Sequence, residues 1–349
     1  HSDRSVCYDS VNADDLRQLI KIELEALSQI PRTMKAVSMT EPGGPEVLNI
    51  GETDVPQPRD HELLIRVAAI GMNQADIIMR SPDTPLPIKH RNHTPGMELS
   101  GEVVRVGASV SDFSVGDKVC GLSGGGACAE YCVVPSTACW PIPDAYSDHE
   151  AAALPDAVMT VWSSLYDPAA IKPGETLLIQ GATSGIGIVA VMMAQALGAK
   201  VFATAGSEEK CKVLADLGVV CAINYKAEDF VDAVNKQTDS RGVDVVFDLV
   251  GGPYLDRNVA ALSSWGRLVV YGMMGGAEGS LNVATLMAKN ISVRGSSLFF
   301  TDRELKARKQ RAAYERVWPL LSDFPKPIID SVFPLERTAD AHRYMEQGG

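Results

Sequence analysis

The sequence predicts an α/β protein in which a β-rich domain precedes a doubly wound parallel sheet. Three observations carry this. The 349 residues exceed what one hydrophobic core usually organises, so two domains are expected. From Met34 to about residue 150 the chain reads as short alternating or apolar runs between Gly and Pro punctuation, the texture of strands and turns. After Glu150 the pattern becomes strand, Gly-rich turn and helix, repeated, the texture of successive βαβ units.

The elements follow in order. His1 stands where an initiator Met would be, so the chain is expected to begin past its natural start. Leu16, Leu19, Ile20, Leu24 and Leu27 recur at helical spacing, with Asn12 as cap and Pro31 as stop. That helix either packs on the body or docks a partner. Strands are expected at Lys35–Met39, Val47–Ile50, Glu62–Ile70, Gly101–Gly107 and Asp117–Gly121. In the second half, strands are expected at Thr176–Gln180, Lys200–Thr204, Ala222–Tyr225, Val243–Val250, Gly266–Tyr271 and Ile291–Gly295, with a helix from Ile186 to Leu197 closed by Gly198. Six strands with intervening helices make a parallel sheet. From about Ser296 strand signals thin, and the chain is expected to return to the first domain.

Composition narrows function. Hydrophobic residues are 46% and charged residues 22% of the chain, and no apolar run is long enough to cross a bilayer. The net charge of −12 opposes a phosphate backbone, so no nucleic-acid partner is expected. The seven cysteines are odd in number and scattered, which favours a reducing, cytoplasmic setting. Cys120, Cys128, Cys132 and Cys139 invite a zinc reading, but paired Cys-x-x-Cys knuckles are absent. Buried thiols are the plainer reading.

The sharpest motif is Gly181-Ala-Thr-Ser184-Gly185-Ile186-Gly187, placed after a buried strand and opening a helix. Glycines there allow a tight turn and close approach of a pyrophosphate, while free amides at the helix start donate to its oxygens. An NAD enzyme carries a carboxylate roughly 20 residues further on, at the end of the second strand. This chain has Thr204-Ala-Gly206-Ser207. Such a turn leaves room for a 2′-phosphate, with Ser207 and Lys210 as donors. Glu208 and Glu209 fit a first helical turn capped by Ser207. NADPH is therefore the expected cofactor.

With these features in place, the chain resembles zinc-free medium-chain dehydrogenases/reductases of the quinone oxidoreductase family, and looks closest to the p53-inducible branch. The residues that carry the resemblance are Glu41-Pro-Gly-Gly-Pro-Glu-Val-Leu, Asn73-Gln-Ala-Asp76, Pro95-Gly-Met-Glu-Leu-Ser-Gly101, Val115-Gly-Asp-Lys-Val, Ala205-Gly-Ser-Glu-Glu-Lys210, Ile223-Asn-Tyr225-Lys and Tyr271-Gly272-Met273-Met-Gly-Gly. The resemblance implies a GroES-like catalytic domain over 34–156 and 296–349, and a Rossmann domain over 157–295. Residues 1–33 would form a helical extension. It also implies a cleft between the domains and a homodimer formed by edge pairing of the cofactor sheets.

By the same resemblance Asn73 and Asp76 line the nicotinamide and substrate site and Thr160 sits beside the cofactor. Gly181, Ser184, Gly185, Ile186, Gly187, Gly272 and Met273 also bind it, and Lys210 and Tyr225 join Ser207 around the 2′-phosphate. Read without the family, Asn73 could satisfy loop backbone groups, and Asp76 could cap a short helix. Zinc-dependent relatives carry a cysteine near Asn73 and a histidine at Met97, so no metal is expected here. Hydride or electron transfer to a small quinone or enone suits such a site, because charge delocalises onto the acceptor's oxygen.

The chain departs from many relatives at Arg80-Ser-Pro-Asp-Thr-Pro-Leu-Pro, where no tyrosine is available as a proton donor. His90 and His93 lie nearby, either as a metal pair or as a solvated loop. Relatives also continue past the position of Gly349 into a further strand, so the chain is expected to be shortened or divergent there. An alkenal or enoyl-thioester reductase, and a non-catalytic NADPH-binding protein, are the competing readings.

Overall fold

A computed structural model describes residues 30–83, 94–166 and 169–347. The expected N-terminal helix and the His90–His93 pair lie outside the described residues. In chain order the elements are β1 (Thr33–Met39), β2 (Leu48–Asp54), β3 (Glu62–Gly71), α1 (Gln74–Arg80), β4 (Glu98–Val106), β5 (Lys118–Leu122), β6 (Tyr131–Pro135), β7 (Cys139–Pro141), α2 (Asp148–Ala152) and α3 (Pro155–Val161). A short π-helical turn, Trp162–Tyr166, extends α3. Then come β8 (Thr176–Ile179), α4 (Gly185–Ala196), β9 (Lys200–Ala205), α5 (Glu208–Asp216), β10 (Cys221–Asn224), α6 (Phe230–Gln237), β11 (Val243–Asp248), α7 (Leu255–Ala261), β12 (Leu262–Val270), α8 (Val283–Lys289), β13 (Ser292–Gly295), α9 (Arg303–Val317) and α10 (Thr338–Glu346).

The first half builds an antiparallel five-stranded sheet, β6-β3-β4-β5-β7, beside the β1-β2 pair. Its core holds Leu63, Ile65, Leu99, Val103, Val119 and Val134, every one shielded from solvent. Leu63 and Ile65 of β3 point into this core, while Leu64 between them is buried on the other face with Met34, Ala36, Val55 and Ala129, so this stretch of the sheet is covered on both sides.

The second half is a six-stranded, all-parallel sheet in the order β10-β9-β8-β11-β12-β13. The order reverses between β8 and β11, so their carboxyl ends form the crevice where such sheets receive ligands. Leu177, Ile179, Val245, Phe247 and Val269 pack with α4 residues on one side. Leu178, Val246 and Leu268 pack with Phe230, Val234 and Val259 on the other. Burial on both faces explains the nearly unbroken apolar runs of these strands.

No strand follows β13 among the described residues, and the chain returns to the first half. Within α9, Ala313 and Val317 join the core that holds Trp140 and Val158. Leu335 and Ala339 pack against Val37 and Leu48. Ion pairs Lys35–Glu336 and Arg80–Glu346 add to the docking of α10.

Candidate active site

The catalytic side is built where β3 ends and β4 begins, which the register places side by side: Gly71 pairs with Glu98. A Cβ on Gly71 would stand 2.2 Å from Glu98 Oε1 and 2.4 Å from the Ala152 carbonyl oxygen. Only glycine lets the Glu98 carboxylate press against this strand end. Asn73 follows as the cap of α1, and its side-chain Nδ2 donates to Glu98 Oε1 over 2.7 Å. The other carboxylate oxygen, Oε2, accepts from the backbone amide of Asp156 over 2.8 Å. Asp156 lies in the first turn of α3, and Thr160 sits one turn further along the same face.

Asp76 is 4% exposed. Its Oδ2 accepts from the Asn73 amide (2.9 Å) and its Oδ1 from the Gly96 amide (3.1 Å). The carboxylate thus ties the start of α1 to the Pro95-Gly-Met segment, which is the capping reading of this residue. Together Asp76, Glu98 and Asp156 form a buried acidic group. Burial pushes Asp76 up to about 7 against the pull of the Asn73 and Gly96 amides. Burial, and then the charge of Asp156, raise Glu98 well above the carboxylate range. Burial lifts Asp156 to about 6 while the Lys306 ammonium on α9 opposes it. Burial lowers Lys306, and Asp156 acts against that.

The cofactor side lies at the carboxyl ends of β8, β9, β11 and β12. Gly181 has φ +64°, and a Cβ there would meet Leu249 Cδ2 at 2.4 Å. Ser184 caps α4, its hydroxyl accepting from the Gly187 amide over 3.1 Å. A Cβ built on Gly187 would stand 2.7 Å from the Ala182 backbone, whereas nothing lies within 4 Å of one built on Gly185. The turn is therefore packed below and open above, a cradle for a phosphate group on free helix-start amides. Thr204 braces it from β9: its hydroxyl accepts from Gly181 N and donates to Gln180. Gly272, next to Met273, is confined by the Leu249 carbonyl oxygen at 2.7 Å from its Cβ position. The loops after β11 and β12 are thus locked to each other and to Gly181.

At the end of β9, Gly206 and Ser207 form an open turn. The Ser207 hydroxyl accepts from the Lys210 amide over 3.3 Å and caps α5. Glu208, the acid nearest the turn, accepts from Asn224 Nδ2 over 2.7 Å. Tyr225 is 40% exposed, and its hydroxyl lies 2.9 Å from a Cβ built on Gly206. Lys210 is exposed, and its ammonium is in no ion pair among the described residues.

The structure thus gives three groups: Asn73 with Asp76, linked through Glu98 to Asp156 at the start of the helix that carries Thr160; Gly181, Ser184, Gly185, Ile186 and Gly187 with Gly272 and Met273 at the sheet's carboxyl ends; and Ser207 and Lys210 with Tyr225 at the end of β9. Packing of α3 along α4 joins the first to the second. Sequence reasoning missed Glu98, Asp156 and Lys306. The signal for Glu98 stood in the Pro95-Gly-Met-Glu segment, but its partner is 25 positions away and is found only through the β3–β4 register. The described residues hold no group of three or more His, Cys, Asp or Glu side chains arranged for a metal ion.

Comparison with known proteins agrees with this layout. Residues 59–144 match the alcohol dehydrogenase GroES-like domain, and residues 185–317 match the zinc-binding dehydrogenase family. A quinone oxidoreductase of Rattus norvegicus is 33% identical over 322 residues, covering 89% of this chain and 93% of that protein. The Escherichia coli quinone oxidoreductase in complex with NADPH superposes with a TM-score of 0.77 at 29% identity, covering 90% of this chain and 96% of that one. The CurK enoyl reductase superposes with a TM-score of 0.78 at 28% identity, over 91% of this chain and 97% of that one. The chain is a nicotinamide-dependent oxidoreductase type, and it belongs to the quinone oxidoreductase family of the medium-chain dehydrogenases/reductases.

Proposed function

We propose that this protein is an NADPH-dependent, zinc-independent reductase acting on quinones and other small conjugated carbonyl compounds. The observation that carries the reading is the neutral Gly206–Ser207 turn beside Lys210 and Tyr225, set next to a phosphate cradle at Gly181–Gly187. A 2′-phosphate there would meet the Lys210 ammonium and the Tyr225 phenol, would take the Ser207 hydroxyl in place of Glu209, and would find Glu208 already engaged by Asn224. The helix-start amides beyond Ser184, with Gly185 and Ile186, would hold the pyrophosphate. Thr160, Gly272 and Met273 would flank the nicotinamide end.

When bound, NADPH supplies a hydride. The chain's own residues bind, orient and exclude water. Asn73, fixed by Glu98, would face the nicotinamide and substrate, and Asp76 would hold Asn73 and Gly96 in place beneath it. Neither the Asn73 amide nor the Met97 thioether belongs to the Cys, His and carboxylate set that holds the zinc Lewis acid used in simple alcohol–aldehyde chemistry. A conjugated carbonyl requires only hydrogen bonding to its oxygen.

Similarity to the CurK enoyl reductase gives a second reading, an enoyl-thioester or alkenal reductase using the same cofactor groups. Following NADPH oxidation with an ortho-quinone, a 2-enal and an enoyl thioester separates them. Turnover of the quinone alone supports the first reading, turnover of the thioester alone supports the second, and loss of none of the NADPH with any of them overturns both.

A further inference from the structure

We propose that Tyr271 is a positioning residue for the cofactor: its phenol donates to the Ser184 hydroxyl, which in turn donates to the diphosphate of the bound dinucleotide. The inference rests on the reading that the Gly181–Gly187 cradle receives that diphosphate. Tyr271 directly follows β12, at the carboxyl end of the parallel sheet. Its hydroxyl oxygen is shut off from solvent and has no hydrogen-bond partner among the described residues. A buried hydroxyl without a partner costs folding free energy, and such a group beside a ligand cradle points to a partner that arrives with the ligand.

The phenol is held in place from two sides. Its ring stacks on Phe247 of β11, with centroids 3.8 Å apart and planes 16° from parallel. Its backbone amide donates to the Asp248 carbonyl oxygen over 2.8 Å, and the neighbouring Gly272 is confined by Leu249. The ring is therefore kept at the head of α4, where the Ser184 hydroxyl faces the phenol at hydrogen-bonding range without closing a bond. Burial pushes the phenol up, so it stays protonated and remains a donor at neutral pH.

Ser184 stands in front of Tyr271, at the rim of the cradle. It is exposed, and its oxygen already accepts from the Gly187 amide over 3.1 Å, while its own proton goes to no acceptor among the described residues. The oxygens of a dinucleotide diphosphate only accept at neutral pH, so one seated on the α4 amides takes the Ser184 proton. The serine oxygen can still accept once more, and a hydroxyl that donates to an anion is the stronger acceptor for it. The phenol then closes a bond that the free protein lacks. Both hydroxyls are aligned in one direction, from Tyr271 through Ser184 to the phosphate.

Calorimetric titration with NADPH, NADH and adenosine 2′-phosphate tests this on the native protein, Tyr271→Phe, Ser184→Ala and the double variant, together with thermal unfolding of each without cofactor. In Tyr271→Phe the dissociation constants of NADPH and NADH should rise equally, about three- to tenfold, the size of one hydrogen bond. Adenosine 2′-phosphate, which carries no diphosphate, should bind as before. On the Ser184→Ala background the same change should weaken neither dinucleotide further, because the link to the phosphate is already cut. The cofactor-free Tyr271→Phe protein should unfold at the native midpoint or above it, since the hydroxyl it loses had no partner. Unchanged dinucleotide binding in Tyr271→Phe, or an equal loss with and without the Ser184 hydroxyl, would overturn the proposal. So would a lowered midpoint with weaker binding of all three ligands, which marks a merely structural role. If NADPH binds but no quinone is reduced, the proposed activity falls while these constants still decide the role of Tyr271.

Discussion

The hydroxyl of Tyr225 lies over Gly206, 2.9 Å from the point where a Cβ would stand. Position 206 is therefore kept free of a side chain, and around the turn stand a phenol, the exposed Lys210 and the Ser207 hydroxyl, which is hydrogen-bonded to the Glu209 carboxylate. Replacing Lys210 by Ala removes a charge-assisted contact to the 2′-phosphate worth about 1.5–3 kcal/mol. The dissociation constant for NADPH should rise roughly 10- to 100-fold, and that for NADH should stay nearly unchanged. Fluorescence titration with both cofactors checks it, and equal losses for the two would remove the assignment of this turn.

The donor set predicts a protein without a resident zinc ion. Asn73 commits its amide nitrogen to Glu98, Met97 offers a thioether, and Asp76 spends both oxygens on backbone amides. Cys120, Cys128, Cys132 and Cys139 are buried, and burial raises all four thiols, Cys132 to about 12. A thiol held protonated is a poor ligand. Elemental analysis of purified protein should find no stoichiometric zinc, and activity should survive a chelator. One zinc per chain, lost together with activity, is the contrary result.

Stability should weaken in mild acid because of His342. Its side chain lies inside α10 at 1% exposure, and burial, aided by the charge of Arg80, lowers it to about 4. The folded form thus keeps the imidazole neutral, while the unfolded chain takes up a proton near its ordinary value of about 6.5. Between these values the unfolded state binds more protons, so this contribution is complete above about pH 6.5 and is lost as pH falls toward about 4. The whole effect is on the order of 3 kcal/mol, of which about 2 kcal/mol is felt by pH 5. In His342→Leu the fall in urea midpoint between pH 7.5 and pH 5 should be shallower than in the native protein. Parallel curves for the two proteins would show that His342 does not titrate on unfolding.

Much of the fold was legible because burial on one face or two leaves a period in the sequence. The buried strands β8 and β11 read as apolar runs, and Gly181 and Ser207 announced the turn after β8 and the cap after β9 by residue type alone. What escaped depends on tertiary register. Nothing in the sequence couples Glu98 to Asn73, since only the pairing of β3 with β4 brings them together. Likewise Lys306 reaches Asp156 because α9 folds back onto α3. Residue Trp265, in β12, was hidden for a different reason: it has φ +64° and is 73% exposed, a conformation that residue type argues against. The acid at Asp76 was open between two roles in the sequence, and its two backbone contacts favour the brace.

Strand β13 is one of the two edges of the parallel sheet, bonded to β12 on one side only among the described residues. All four of its residues are exposed, which is an open template for another strand. Val293 on this strand and Val283 and Met287 on α8 are exposed apolar side chains at 39%, 62% and 74%, and Val283 and Met287 are one turn apart on the helix. An edge with apolar neighbours and no blocking charge at Val293 suits a second copy of the same sheet, related by a two-fold axis. Light scattering should give a mass of twice the 37.4 kDa of one chain. Because each chain carries a net charge of −12, association should tighten as salt screens the repulsion. Val293→Lys places like charges near each other across the axis and should yield monomer. Val213→Lys, an equally exposed valine on α5 at 42%, should leave the mass unchanged. A native protein that stays monomeric at all salt concentrations, or a dimer indifferent to Val293→Lys, would place the contact elsewhere or remove it.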